Sequence, residues 1–224
     1  MCDICSRVGV VGRTGAGKSS LFAALLNLTR IEGTIVVDGV DTSTLSLARL
    51  RQAISVIPQE PVLFSTTLRR NLDPFMCAAD ADIWAALEAV QLAGEVRALP
   101  AGLESLVSER GQNYSIGQRQ LICLARAIVR HARVLMIDEA TAHVDNRTDR
   151  LIQATIRDKF RHCTVLTIAH RLNTVLDSDT IFVMDDGHLV ESGPPAELGA
   201  RQDGHFAALL ASMHHVADAE NESI

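Results

Sequence analysis

Eight residues near the start of the chain, Gly12-Arg13-Thr14-Gly15-Ala16-Gly17-Lys18-Ser19, leave it few folds to choose from. They follow Arg7 to Gly12, a short β-branched run of the kind a buried parallel strand needs. They precede Ser19 to Leu28, which is apolar and rich in helix formers. Strand, glycine-rich loop and helix in that order match G-x-x-x-x-G-K-[ST] in the context where the pattern binds phosphate. The glycines let backbone N–H groups turn inward around an anion, and the helix N-terminus adds partial positive charge. Lys18 is expected to reach the β- and γ-phosphates, with Ser19 Oγ on Mg²⁺. A plain strand-to-helix turn, with Ser19 merely capping the helix, gives Lys18 no packing reason to be there.

The rest of the chain continues the alternation. Thr34 to Asp38, Ala53 to Ile57, Arg133 to Asp138, Thr164 to Ala169 and Thr180 to Met184 are short β-branched runs separated by helix-compatible stretches. This predicts an α/β fold, a P-loop nucleoside-triphosphatase core with a mostly parallel sheet. Between Pro61 and Gly111 the pattern changes. Ala78 to Leu92 carries Ala, Leu, Ile and Trp84 at helical spacing, which predicts a helical sub-lobe over about 61–130. Pro194-Pro195 marks the turn into a late helix, and 216–224 reads as a frayed tail.

Composition excludes several classes. Hydrophobic residues are 47% and aromatics 4%, so the core is expected to be aliphatic. The formal charge of −6 argues against nucleic acid as a partner and confines any anion site to a small patch. Every apolar run is cut by charge before the roughly 18 residues a bilayer requires. The five cysteines show no paired spacing beyond Cys2-x-x-Cys5, which reads as a reducing compartment. One such pair falls short of the about four ligands that structural zinc needs.

Two further segments carry chemistry. Val134-Leu135-Met136-Ile137-Asp138-Glu139 is an apolar strand ending in two carboxylates. With a phosphate loop present, Asp138 can hold Mg²⁺ through water and Glu139 can polarise an attacking water. Alone, the pair could simply solvate a strand end. Tyr114-Ser115-Ile116-Gly117-Gln118-Arg119-Gln120 opens a helix whose apolar face includes Leu121, Leu124, Ala125 and Ile128. Ser115-x-x-Gln118 is a capping box, so these residues could be only a helix start. An uncapped N-terminus bearing Ser and Gly would instead be an anion site.

With these motifs in place the chain resembles a nucleotide-binding domain of the ATP-binding cassette (ABC) family, whose L-S-G-G-Q signature Ser115, Gly117 and Gln118 match. Tyr114 and Ile116 depart from it. Gly117 to Ala127, Asp138 to Asp145, Asn71-Leu72-Asp73-Pro74 and Leu166 to Thr174 are similar to the second nucleotide-binding domain of the multidrug-resistance-associated proteins, sub-family C. The resemblance implies one such domain over 1–224, with ATP phosphates held by Gly12 to Ser20, Ser20 included. It implies Mg²⁺ on Ser19, Gln59 and Asp138, and catalysis by Glu139, Gln59 and the switch histidine His170. It makes Asp145 the D-loop aspartate of a dimer interface; on its own, Asp145 is a plausible helix N-cap. The implied partners are a second nucleotide-binding domain, head to tail, and transmembrane domains that hold this one at the cytoplasmic face of a membrane.

The family begins one strand earlier, with an aromatic residue under the adenine, whereas Phe22 is the first aromatic here. An N-terminally truncated chain is therefore expected, and lost stacking would remove about 1–3 kcal/mol of binding. Ile116 puts a branched side chain where a phosphate approaches, so a homodimer is expected to hydrolyse poorly. The leading expectation is an ATPase domain powering export. The alternative is a truncated, non-hydrolysing, nucleotide-dependent dimerisation or regulatory module.

Overall fold

The computed structural model describes residues 5–140, 144–169 and 174–212. His170 and the tail 216–224 lie outside the described residues, as does Cys2. In chain order the strands are β1 (Arg7–Val11), β2 (Val36–Val37), β3 (Val40–Asp41), β4 (Ile54–Ile57), β5 (Val134–Asp138), β6 (Thr164–Ile168), β7 (Thr180–Asp185) and β8 (His188–Gly193). The α-helices are α1 (Lys18–Leu25), α2 (Leu47–Ala53), α3 (Leu68–Leu72), α4 (Asp80–Ala89), α5 (Ala93–Ala98), α6 (Ile116–Val129), α7 (Asn146–Lys159) and α8 (Pro195–Gly199). The chain divides into two compact units, one formed by Met1–Leu45 with Thr164–Ile224, the other by Ser46–Cys163.

In the first unit β1 lies between β6 and β7 and is parallel to both, Val10 standing opposite Ile168 on one side and Phe182 on the other. Its continuous apolar run is what a strand covered on both faces requires, and all of it but Arg7 is buried. Beneath it Val11, Val175, Ile181, Val183, Leu198 and Phe206 form a buried cluster, aliphatic except for Phe206. Leu198 reaches that cluster from α8, which starts on Pro195 as the Pro194-Pro195 turn predicted.

Two departures from the sequence reading share one cause. Thr34 to Asp38 is not a core strand: only Val36–Val37 is extended, and it pairs antiparallel with Val40–Asp41. β8, antiparallel to β7, was not expected at all. Both hairpins turn on Asp-Gly, Asp38-Gly39 with φ of 51° and 78° and Asp186-Gly187 with φ of 44° and 77°. Positive φ at both turn residues is the geometry that reverses a strand in two residues, and Asp-Gly is its best-suited sequence.

In the second unit β4 and β5 are parallel, with Ile57 opposite Ile137. Between them run α3 to α6, with one isolated bridge, Thr67 to Leu106, outside the named strands among the described residues. The helix expected over Ala78 to Leu92 is shorter, Asp80–Ala89, and is followed at Gln91 by a left-handed residue with φ of 59°. The long helix α6 packs against α3, α4, α7 and β4. It buries Leu121, Ile122, Leu124 and Ala125.

Asn71 fastens this unit from inside. It is fully buried; its Oδ1 accepts from Phe64 N (2.8 Å) and Arg126 Nη2 (3.3 Å), and its Nδ2 donates to Phe64 O (2.9 Å) and Thr67 O (3.1 Å). Asn71→Ala strands those backbone groups away from water and is expected to cost about 2–4 kcal/mol of stability. Denaturant unfolding of the variant measures it, and an unchanged midpoint would contradict the assignment.

Candidate functional site

The phosphate loop occupies the carboxyl end of β1. Gly12 has φ 151°, and a Cβ there would stand 2.2 Å from the Met184 carbonyl oxygen, so the close approach of loop and β7 requires glycine. Gly187 N donates to Ala16 O at 3.2 Å, which backs the loop with the β7–β8 turn. Gly17, with φ 96°, is the N-cap of α1 and offers no side-chain cap. The first amides of α1 therefore have no side-chain oxygen from the cap to bond.

Lys18 is 5% exposed, and its Nζ donates to Gly12 O (2.7 Å) and Arg13 O (3.0 Å), which holds the ammonium over the loop. Arg13, Thr14 and Gly15 are exposed along the loop, and Ala16 is buried beneath it. Ser19 and Ser20 are exposed on the first turn of α1. Glycine-enabled turns, an uncapped helix start and a buried cation make a receptacle for an anion with several oxygens. Nucleotide phosphates fit it, and the exposed Ser19 hydroxyl suits a hard cation such as Mg²⁺.

The second unit holds the remaining described candidates. Because Ile57 and Ile137 are in register, Gln59 and the pair Asp138-Glu139 follow the same ends of two parallel strands. The four apolar residues of β5 are buried and Asp138 at its tip is half-buried. Glu139 adopts φ 43°, a left-handed conformation that costs an L-residue about 1–2 kcal/mol. Strain of this kind is retained where the surrounding structure fixes a residue for a task. Gln59 is exposed.

The capping-box reading of Ser115 is correct: Ser115 Oγ accepts from Gln118 N at 3.1 Å, and Gln118 Oε1 accepts from Ser115 N at 2.8 Å. The start of α6 is therefore capped, not open. Ser115 is still exposed, and a hydroxyl that accepts here keeps its own proton to donate elsewhere. Gln118 is further held by Glu95, at 2.6 Å.

Asp145 is the N-cap of α7, accepting from Arg147 N and Thr148 N at 3.0 Å each. Thr148 Oγ1 also donates to its Oδ2 at 2.6 Å, and this bond above all holds the carboxyl below the usual carboxylate range. A Cβ on Gly117 would meet Thr148 at 3.4 Å. Ser115, Gly117, Gln118 and Asp145 thus line one cleft of about 890 Å³ with Thr148.

Sequence reasoning missed Met184 and Gly187, the back wall of the phosphate loop, and Thr148, the link between Asp145 and Gly117. The Asp186-Gly187 dipeptide between two β-rich runs was the available signal for the first.

No helix among the described residues is long and apolar enough to cross a membrane. The sequence family described as "ABC transporter" matches residues 5–142. "Probable multidrug resistance-associated protein lethal(2)03659" of Drosophila melanogaster is 59% identical over 197 residues, which are 88% of this chain and 14% of that protein. Human "ATP-binding cassette sub-family C member 4" is 53% identical over 207 residues, 92% of this chain and 16% of that protein. This chain thus spans about one-seventh of the length of these relatives. The solved "Structure of a bacterial Atm1-family ABC exporter with ATP bound" superposes with a TM-score of 0.85 at 38% identity, covering 94% of this chain and 37% of the other. The chain belongs to the ABC transporter family, as a nucleotide-binding domain of the multidrug-resistance-associated, sub-family C type.

Proposed function

We propose that this chain is the second nucleotide-binding domain of a sub-family C exporter, which hydrolyses ATP in a head-to-tail pair with another nucleotide-binding domain. The observation that supports it most is Lys18, a nearly buried cation whose Nζ donates to the loop carbonyls of Gly12 (2.7 Å) and Arg13 (3.0 Å), beside an uncapped helix start. Gly12 to Ser20 hold the phosphates. Ser19, Asp138 and Gln59 are the groups to hold Mg²⁺, which when bound supplies neutralising charge at the phosphates. Glu139 takes a proton from the attacking water, and His170 completes the contacts to the γ-phosphate. Ser115, Gly117 and Gln118 face the partner's nucleotide, and Asp145 lies at the interface. Transmembrane domains of the whole protein keep the domain at the cytoplasmic face of a membrane.

The test is phosphate release from MgATP by this chain mixed with a nucleotide-binding domain that bears an intact L-S-G-G-Q. The mixture is expected to exceed the sum of the two proteins alone, because Ile116, 45% exposed, spoils the signature a homodimer would use. Ile116 also favours the second reading, a nucleotide-dependent dimerisation module without turnover. A mixture that dimerises on ATP and releases no phosphate would select that reading.

A further inference from the structure

Gln59 sits in a loop with few means of holding itself in place. Pro58 and Pro61 on either side have no N–H, so the segment is poor in donors and is best secured through its carbonyls. Helix α6 supplies the donors. Gln120 Nε2 donates to Pro58 O at 3.2 Å, and the Arg126 guanidinium donates to Val62 O through Nη1 and Nη2, both at 3.2 Å. The two side chains are six residues apart, about 9 Å along the helix axis. They grip carbonyls four residues apart, with Gln59 between them. The same helix begins at Ser115, Gly117 and Gln118.

Gln120 is an unusual choice for packing. It is 1% exposed, and its Oε1 is buried with no hydrogen-bond partner. An unpaired buried carbonyl bears its full desolvation penalty, which an apolar side chain of equal length avoids. A residue kept in the core against that penalty is there for its donor. Arg126 differs: its Nε also donates to Asn71 O at 2.6 Å, which ties it to the Asn71 network and gives it a structural duty.

We infer that Gln120 is a positioning residue for Gln59: its amide fixes the Pro58 carbonyl to α6, so that Gln59 takes its place relative to the helix that carries Ser115 and Gly117. The inference rests on the role proposed for Gln59. It sets Gln120 apart from the packing residues around it, because removing its donor harms function without harming the fold.

The test uses the whole chain with Gln120→Met, of similar length and without a donor, and Gln120→Leu as a second variant should Met pack poorly. Hydrogen exchange of the chain alone is expected to speed up at the amides of 59, 60, 62 and 63, with the thermal midpoint unchanged or raised. In the mixture with the partner domain, ATP affinity is expected to hold. Turnover is expected to fall about 10- to 100-fold, the scale on which a displacement of about 1 Å acts. Gln59→Ala combined with Gln120→Met should be no slower than Gln59→Ala alone, since both changes remove one function. Unchanged exchange at 59–63 would overturn the inference, as would turnover losses that multiply in the double variant. A wild-type mixture without phosphate release would defeat the proposed function, and the exchange experiment would still decide whether Gln120 holds the loop.

Discussion

Lys18→Ala loses nucleotide binding. The ammonium is held 2.7 Å and 3.0 Å from the carbonyls of Gly12 and Arg13, already at the centre of the loop before any anion arrives. Alanine removes the charge and the two donated bonds together. Truncating one partner of a close, desolvated charge pair costs about 2–5 kcal/mol, or about 30- to 4,000-fold in affinity. Lys18→Arg is expected to rescue little, because a planar guanidinium on a different stem does not reproduce a compact point charge in a buried place. Both variants should keep the wild-type circular dichroism, since Lys18 sits on the first turn of α1 and the cluster beneath β1 does not include it. Equilibrium dialysis with MgATP measures the loss. Wild-type affinity in Lys18→Ala would remove the phosphate-loop argument altogether.

The parallel strands were legible because their physics is local in sequence. Arg7–Val11, Ile54–Ile57 and Val134–Asp138 are short, mostly apolar runs buried along nearly their whole length, and Thr164–Ile168 and Thr180–Asp185 are β-branched runs with half-buried positions among the buried ones. The signal of the hairpins is confined to their turn dipeptides, Asp38-Gly39 and Asp186-Gly187. An exposed, polar-flanked strand such as His188–Gly193 has no apolar run to mark it. In sequence, Asn71-Leu72-Asp73-Pro74 carries only a likeness to sub-family C nucleotide-binding domains. Its physical reason is three-dimensional: Asn71 bonds backbone at Phe64 and Thr67, and Asp73 Oδ2 accepts from Ala78 N at 2.7 Å.

The site divides in the same way. Gly12 to Ser19 and the Asp138-Glu139 strand end are contiguous motifs, and their chemistry follows from spacing alone. The capping box at Ser115 was equally plain. What spacing could not give is the left-handed backbone of Glu139, the approach of Met184 to Gly12, or the reach of Gln120 to Pro58, because each joins atoms far apart in sequence or depends on a dihedral angle.

Glu139→Gln bears most directly on whether this domain turns ATP over. Glutamine preserves the size and shape of glutamate and adopts the same φ of 43° at no greater cost, so fold and nucleotide affinity should be retained. It lacks a carboxylate to take the proton of the attacking water. Loss of a positioned general base lowers turnover by about 10²–10⁴-fold. The decisive measurement is phosphate release from MgATP by this chain and a partner domain with an intact signature, wild type beside Glu139→Gln, with bound ATP quantified in both. The account predicts steady release by the wild type and near-background release by Glu139→Gln at equal ATP occupancy. Release at the wild-type rate by Glu139→Gln would contradict it.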